Sequence, residues 1–331
     1  MAIRFAVIGT GWITDSFIES AHATQAWKLT AVYSRKAETA QAFAAKHNVT
    51  ATYTGSLETL CQASDIDAIY IASPNSFHYE QARAALAGKK HVILEKPATS
   101  TVAEFEALFA QAKQQGVFLI EANRHIQERN FKVLQQSLGR LGAVYGASLN
   151  YASYSSRYNA VLAGETPNIF NLALSGGALV DLGVYPIAAA VALFGKPKAQ
   201  TYRPVVIRTG ADGGGFVELL YDGFAVAINA SKIYTSAAPS EVYGEKGTLV
   251  ANAVTDIASV EFVDARSKTR EQLAGEKARL NLQEEAAEFA RIINERDAAA
   301  AKKLEDMSRI VIGITTDLRA QNGLVFDVEK K

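Results

Sequence analysis

The sequence predicts two domains of different class. Residues 1–122 are predicted to form an α/β domain around a doubly wound parallel sheet, and residues 123–331 an α+β domain built on a mostly antiparallel open sheet. The first prediction follows from a regular alternation of apolar strand patterns and helical patterns. The second follows from β-rich runs that recur with glycine turns between them. A chain of 331 residues also exceeds the size that one hydrophobic core usually supports.

Residues 3–14 contain the most informative motif. Ile3 to Ile8 is typical of a short apolar strand, and it runs directly into Gly9-Thr10-Gly11-Trp12-Ile13-Thr14 and the start of a helix. Gly9 would make the tight turn, and Gly11 would let the backbone approach a pyrophosphate. The N–H groups of the helix start would face that anion. This pattern is typical of a Rossmann dinucleotide-binding domain. The residues predicted to contact the cofactor here are Gly9, Gly11, Trp12 and Ile13.

The alternation of strands and helices continues to residue 122. The predicted strands are Leu29–Tyr33, Ile66–Ala72, His91–Leu94 and Val117–Glu121, and the predicted helices are Asp15–Ala26, Ala37–Lys46, Tyr79–Leu86 and Thr101–Gln115. Because parallel strands need a crossover connection, each helix is expected to join two strands of the same sheet.

The pattern changes to β-rich runs from about Val144. The β-rich runs are Val144–Tyr154, Tyr202–Arg208, Phe216–Tyr221, Phe224–Ser231, Glu241–Val250 and Val260–Val263, with a strand-connecting turn predicted at 244–248 inside the fifth run. The dipeptide Asp222-Gly223 indicates a hairpin between two of them. One apolar helix, Gly177–Leu193, interrupts this region. Two further helices, Leu282–Asn294 and Ala298–Gln321, end the chain, with the option of packing back on the first domain.

Composition and charge argue against several kinds of partner. Hydrophobic residues make up 49% and charged residues 21%, with 34 Lys plus Arg against 34 Asp plus Glu, so nothing favours nucleic acid or an anionic membrane surface. The single cysteine, Cys61, leaves no internal disulfide, and the scattered histidines favour no metal site. We find no run of 18 apolar residues and no signal-peptide core. We therefore expect a cytoplasmic protein with a small-molecule substrate and no membrane span.

The end of the second strand predicts which nucleotide is bound. An open parallel sheet binds ligands beyond the carboxyl ends of its strands, and an NAD site usually offers an acid to the ribose there. This chain has Ser34-Arg35-Lys36 instead. A hydroxyl followed by two cations suits a 2′-phosphate, so NADP is favoured and NAD is the other option. The alternative interpretation is a solvated charge pair in a loop.

Two further segments follow strands of the first domain. Ser73-Pro74-Asn75 with His78 could contact the nicotinamide-side ribose, although His78 equally fits an ordinary residue at a helix start. Glu95-Lys96-Pro97 closes the strand His91–Leu94. Because a residue before proline is held extended, Lys96 would present a cation to the nicotinamide pocket. The alternative is a surface lysine without a role in the site.

The second domain contributes an acid and a phenol. Within Ser175–Pro186, Asp181 and Tyr185 are four residues apart at a glycine-rich helix start, so both should face one side. A tyrosine beside a lysine could serve as proton donor, since an adjacent ammonium lowers a phenol pKa from its usual value of about 10. Asp181 could hold a substrate hydroxyl. The alternative is a core tyrosine whose hydroxyl is bonded to a helix cap.

Taken together, these segments resemble the Gfo/Idh/MocA family of NAD(P)-dependent oxidoreductases over nearly the whole chain. The matching segments, in the family's order, are Gly9-x-Gly11, Pro74-Asn75 with His78, Glu95-Lys96-Pro97, Gly176-Gly177-x-x-x-Asp181-x-Gly183-x-Tyr185, and the run 243–249. Tyrosine at 185 is similar to the branch containing glucose-fructose oxidoreductase and dihydrodiol dehydrogenase. The resemblance implies that Lys96 and Tyr185 are catalytic, that Asp181 binds substrate or assists, and that the protein is a homodimer or dimer of dimers.

The sequence therefore favours an enzyme that moves a hydride between nicotinamide and a sugar, polyol or cyclic diol, with Tyr185 passing the proton and Lys96 assisting. The competing hypothesis is a nucleotide-sensing binding protein of the same fold without turnover. The presence of lysine, aspartate and tyrosine together favours the enzyme.

Overall fold

The computed structural model describes residues 2–330 of the chain. It divides into two compact units, which are described separately below. One comprises the residues up to Arg124 together with Ala278–Asp306, and the other comprises His125–Lys277 together with the residues from Met307 onward.

The first unit contains a six-stranded sheet in which every paired neighbour is parallel. Its strands are β1 (Ile3–Ile8), β2 (Trp27–Tyr33), β3 (Ala51–Tyr53), β4 (Ala68–Ile71), β5 (His91–Glu95) and β6 (Leu119–Ala122). They lie in the order β3-β2-β1-β4-β5-β6. The strands β1 to β3 are therefore added towards one edge of the sheet and β4 to β6 towards the other, and the switch lies between β1 and β4. This is the doubly wound order of dinucleotide-binding domains, and the predicted fold is confirmed.

Helices connect these strands, and four of the five were predicted from the alternation. They are α1 (Trp12–Ala23), α2 (Ala37–Lys46), α3 (Leu57–Gln62), α4 (His78–Ala87) and α5 (Val102–Gln115). The start of α5 shows why the sequence begins a helix there. The Thr101 hydroxyl accepts from the Glu104 N–H, and the Glu104 carboxylate accepts from the Thr101 N–H, which is a complete capping box. Gly116, at φ +68°, ends the helix.

The second unit contains an eight-stranded sheet that is antiparallel except for one pair. Following α6 (Arg129–Gln136), its strands and helices are β7 (Val144–Ala152), α7 (Arg157–Leu162), α8 (Val184–Phe194), β8 (Ala199–Val206), β9 (Asp212–Leu220), β10 (Ala225–Ser231), β11 (Ser240–Gly244), β12 (Gly247–Ala251), β13 (Val260–Asp264) and β14 (Arg270–Gln272). The order is β14-β13-β12-β11-β7-β10-β9-β8, with β7 and β10 parallel. The predicted hairpin at Asp222-Gly223 joins β9 and β10. The mostly antiparallel sheet is therefore confirmed.

Two helices end the chain, α9 (Gln283–Glu295) and α10 (Ala298–Ala320). The sequence prediction ends the first domain at residue 122 with the option that the C-terminal helices pack back on it, and the structure places α9 in the first unit. Phe289 and Ile292 are completely buried in the same apolar core as Phe5 and other residues of the parallel sheet. The Trp27 indole N–H also donates to the Ala286 carbonyl at 2.8 Å. Burial of this apolar face explains the discontinuous first unit.

The segment Leu172–Phe194 is long and apolar enough, by length and composition, to cross a membrane. Polar residues such as Ser175 and Asp181 interrupt it, so it contains no run of 18 apolar residues. In the structure, 72% of its most apolar window is buried inside the protein, as in the core helix of a soluble protein. Composition alone is therefore weak evidence for a membrane span here.

Candidate active site

A cleft of about 280 Å³ lies in the first unit, at the carboxyl ends of β1, β2 and β4. This is the switch point of the sheet, where open α/β folds bind ligands. Among the residues predicted to contact the cofactor, six line the cleft: Gly9, Gly11, Ser34, Arg35, Ser73 and Pro74. Sequence reasoning did not identify six others: Ile8, Thr10, Tyr33, Ala72, Phe77 and Gln81. The remaining predicted residues, Trp12, Ile13, Lys36, Asn75, His78, Glu95 and Lys96, lie outside this lining.

The two glycines at the start of α1 serve different purposes. Gly9 has φ +106°, and a Cβ there would lie 2.4 Å from the Ala72 carbonyl oxygen, so any side chain would clash. Gly11 has an ordinary φ of −87°, and a Cβ there would meet nothing within 4 Å. The space above Gly11 is therefore free of protein atoms at the positive end of the helix, which suits a pyrophosphate. Thr14, where a third glycine often stands, is completely buried.

The ribose end of the cleft carries a cation and no acid. Ser34 follows directly after β2, and the Arg35 guanidinium lies 5.3 Å from the centroid of the Phe77 ring. None of the twelve lining residues is acidic. Lys36 is exposed and precedes α2. An arginine held against a ring at this position fits a 2′-phosphate better than a pair of ribose hydroxyls.

Lys96 lies on a turn whose backbone is held by two buried carboxylates. Glu95, the last residue of β5, accepts from the Lys96 N–H at 3.2 Å and from the Tyr70 hydroxyl at 2.6 Å. Glu121, on the neighbouring strand β6, accepts from the Ala98 N–H at 2.7 Å. Burial raises the pKa of Glu95, while the hydrogen bond from Tyr70 and the charge of Lys96 oppose that rise. The side chain of Lys96 therefore starts from a fixed backbone position.

His78 lies behind this turn. Its ring is almost completely buried, with Nδ1 2.9 Å from the Pro97 carbonyl and Nε2 2.9 Å from the Ser73 carbonyl. Burial lowers the pKa of His78, while its contacts with these backbone carbonyls oppose that shift. His78 thus links the loops that follow β4 and β5. Both ring nitrogens of His78 contact the protein's own backbone. This is the residue that the sequence analysis considered as a contact for the nicotinamide-side ribose.

Asp181 and Tyr185 lie in the second unit on one continuous helical segment. Residues Leu179–Gly183 form a single π-helical turn that continues directly into α8, which starts at Val184. Such turns are rare and occur often at functional sites. The start is anchored by Asp212 of β9, which accepts from the Leu179 N–H at 2.6 Å and from the Tyr202 hydroxyl at 2.8 Å. Burial raises the pKa of Asp212.

The ring of Tyr185 is buried and lies edge-on to two aromatic rings. His125 is 5.1 Å away at an interplanar angle of 63°, and Tyr151 of β7 is 5.3 Å away at 83°. These edge-on ring contacts fix the orientation of the phenol ring, and they are made by the ring and not by the hydroxyl. Neither partner was found from the sequence, because each is more than 30 residues away along the chain and neither belongs to a motif.

Asp181 forms an ion pair with Lys232, the residue that follows β10. Sequence reasoning missed Lys232. The signal that could have indicated it is a single charged residue at the end of the strand run Phe224–Ser231, which has no charge of its own.

A second cavity, of about 400 Å³, lies elsewhere in the second unit. It is lined by Arg157, Ala160, Glu165, Thr166, Pro167, Asn168 and Ile169. It shares no lining residue with the cluster around Asp181 and Tyr185. Within residues 2–330, no group of three or more His, Cys, Asp or Glu side chains is arranged to hold a metal ion.

The fold and the first-unit cleft define a dinucleotide-binding protein. A family described as "Oxidoreductase family, NAD-binding Rossmann fold" matches residues 3–122, and the "GFO/IDH/MocA C-terminal domain" matches residues 135–250. The chain belongs to the Gfo/Idh/MocA family, as the sequence motifs indicated. It is an NAD(P)-dependent oxidoreductase that acts on CH–OH groups.

Two relatives are named for this kind of activity, and a solved structure has the same fold. The chain is 40% identical over 328 residues to scyllo-inositol 2-dehydrogenase (NADP(+)) IolU of Bacillus subtilis, covering 99% of each chain. It is 30% identical over 257 residues to trans-1,2-dihydrobenzene-1,2-diol dehydrogenase of Xenopus laevis, covering 75% of each. A 3-ketoreductase from Actinomadura kijaniata, solved with NADP, superposes with a TM-score of 0.79 at 21% identity, covering 97% of each chain, and so shows the same fold.

Proposed function

We propose that the protein catalyses the NADP-dependent interconversion of a secondary alcohol and a ketone on a cyclic polyol of the inositol class. The observation that supports this most strongly is the 40% identity, over practically the full length of both chains, to a protein named for scyllo-inositol and NADP. The Arg35 cation in an acid-free cleft agrees with the choice of NADP.

The proposed mechanism assigns one role to each side chain. Gly9, Gly11 and Arg35 would bind the cofactor through its phosphates, and bound NADP supplies or accepts the hydride at nicotinamide C4. In the oxidation direction, the phenolate of Tyr185 would take the proton of the reacting hydroxyl while the carbinol carbon gives its hydride to the nicotinamide, which leaves a ketone and a neutral phenol. In the reduction direction, the same phenol returns the proton to the alkoxide oxygen. Lys96 assists with its positive charge, and Asp181 accepts a hydrogen bond from a substrate hydroxyl.

The function is tested with a substrate panel. Wild-type protein is mixed with NADP and scyllo-inositol, myo-inositol, aldoses or a trans-dihydrodiol, and the absorbance of the reduced nicotinamide is followed. We expect the highest kcat/KM with an inositol. A highest kcat/KM with the dihydrodiol would support the other activity named among the relatives. Binding of NADPH without turnover of any alcohol or ketone would favour the sensor hypothesis and contradict the proposal.

The cofactor preference has a separate test at Arg35. We expect Arg35→Ala to weaken NADPH binding by about 10- to 100-fold, because an arginine–phosphate contact is a charge-assisted hydrogen bond. NADH binding should change by less than about threefold, since NADH has no 2′-phosphate. Fluorescence titration measures both affinities. Arg83→Ala, which removes an exposed arginine paired with Glu80 on α4, is the matched control. Equal affinities of wild-type protein for NADH and NADPH would show that NADP is not preferred.

A further inference from the structure

The Arg35 guanidinium is held by an aromatic ring and not by an acid. Its Cζ lies 5.3 Å from the centroid of the Phe77 ring, which is within the range of a cation–π contact. Within residues 2–330, the Arg35 side chain forms no ion pair and no hydrogen bond with the protein. By contrast, the guanidinium of Arg83 in the same unit is paired with Glu80. The Phe77 ring is therefore the group that holds the Arg35 cation.

Phe77 itself lies on a fixed piece of backbone. It ends a short 3-10 turn after β4, and its N–H donates to the Pro74 carbonyl at 2.9 Å. The next residue, His78, is buried and contacts two backbone carbonyls through its ring nitrogens. Phe77 is 37% exposed, and it lines the cofactor cleft instead of packing in the core. Its ring thus presents a face to the cleft from a rigid position.

Arg35, on the other side of the contact, lies on an exposed connection between β2 and α2. An exposed arginine side chain samples many rotamers, and a ligand that binds it must offset the entropy lost when those rotamers are restricted. A ring that holds the guanidinium at the cleft before the nucleotide arrives reduces that loss. Preorganisation of this kind raises affinity without adding a contact to the ligand.

The ring can hold this cation without competing with a phosphate. A cation–π contact uses the face of the ring, and it consumes none of the five N–H donors of the guanidinium. A carboxylate partner would occupy some of those donors and would repel an incoming phosphate. None of the twelve residues that line the cleft is acidic. The pair of Arg35 and Phe77 therefore leaves the cation both oriented and available.

We infer that Phe77 is a positioning residue that holds the Arg35 guanidinium at the cleft for the 2′-phosphate of NADP, and that it thereby contributes to the preference for NADP over NAD. This inference rests on the proposed role of Arg35 and extends it, because the preference then also depends on the loop after β4. Phe77 acts through Arg35. Its contribution therefore disappears for a nucleotide without a 2′-phosphate, and it also disappears in a protein without the arginine.

A double-mutant cycle on Phe77 and Arg35 tests the inference, with the Kd values of NADPH and NADH measured by isothermal titration calorimetry. We expect Phe77→Leu to weaken NADPH binding by about three- to fivefold, which corresponds to a cation–π contact at an exposed site. NADH binding should change by less than about 1.5-fold. In an Arg35→Ala background, Phe77→Leu should change NADPH binding by less than about 1.5-fold. Phe77→Tyr keeps an aromatic face and should keep the wild-type ratio of the two affinities.

The matched control is Phe118→Leu. It removes a ring whose centroid lies 5.8 Å from the Arg296 guanidinium, in the same unit but outside the lining of the cleft, so both affinities should stay at the wild-type values. An equal loss of NADPH and NADH affinity in Phe77→Leu would show that the ring serves a part common to both nucleotides, and it would overturn the inference. An equal effect of Phe77→Leu with and without Arg35 would also overturn it.

The wild-type protein separates this inference from the proposal on which it rests. A wild-type protein with equal affinities for NADPH and NADH would contradict the proposed role of Arg35 and the inference together. A wild-type protein that prefers NADPH, with a Phe77→Leu variant that keeps the whole of that preference, would contradict the inference alone.

Discussion

Tyr185→Phe is expected to lower kcat by about 10²- to 10⁴-fold, the range that general acid–base catalysis usually contributes. The substitution removes one oxygen and keeps the ring that packs against His125 and Tyr151. The fold and the cofactor cleft, which contains no residue of this helix, should therefore be unaffected. Steady-state turnover of the best polyol measures the loss, and NADPH fluorescence titration should give an unchanged Kd.

The matched control is Tyr221→Phe. It removes a phenol oxygen from the same unit, where the Tyr221 hydroxyl donates to the Gly195 carbonyl at 3.1 Å. We expect kcat of this control within about twofold of the wild-type value, since surface substitutions are usually near neutral. Turnover of Tyr185→Phe at the wild-type rate would show that another group transfers the proton.

Lys96→Met is the second change with a large expected effect. Removing a cation that stabilises charge developing in the transition state should lower kcat by about 10²- to 10³-fold. The turn itself should persist, because Glu95 and Glu121 hold the N–H groups of Lys96 and Ala98, which methionine does not alter. NADPH affinity should change by less than about threefold, because Lys96 is not among the residues that line the cofactor cleft. Single-turnover hydride transfer in a stopped-flow instrument measures the rate.

Lys113→Met, in the last turn of α5, is the control for Lys96 because it removes an exposed lysine from the same unit. A Lys96→Met protein that keeps wild-type kcat but binds NADPH much more weakly would assign Lys96 to cofactor binding alone. Combining Lys96→Met with Tyr185→Phe adds a further measurement. If both residues serve one proton-transfer step, the double variant should lose little more activity than either single variant.

Two helices of the first unit were predicted nearly to the residue, whereas the predicted helix Asp15–Ala26 is displaced by three residues at each end from α1. The helix Ala37–Lys46 agrees with α2 at both ends, and Thr101–Gln115 differs from α5 by one residue. The strand β3 and the helix α3 were missed. Both are short, and β3 is only partly buried, so neither leaves an apolar pattern long enough to detect. The predictions of a homodimer and of a cytoplasmic location stay predictions.

The sequence by itself determined the fold class, the family and the local motifs, because each depends on residues that are close together along the chain. Gly9 and Gly11 follow one strand directly, and Asp181 and Tyr185 share one helical segment. Such local patterns reflect turn geometry and helix periodicity, which sequence spacing encodes directly.

Only the tertiary structure decided which side chains support these motifs. Lys232 reaches Asp181 from 51 residues away, and Glu121 reaches the turn at Ala98 from 23 residues away. Asp212, on the strand β9, anchors the helix start at Leu179 from 33 residues away. These contacts depend on strand order and register, which set distances between residues that have no fixed spacing in the chain. Buried polar groups need partners, and the fold rather than the local sequence decides which residues lie close enough to be those partners, so the supporting residues could not be predicted from spacing alone.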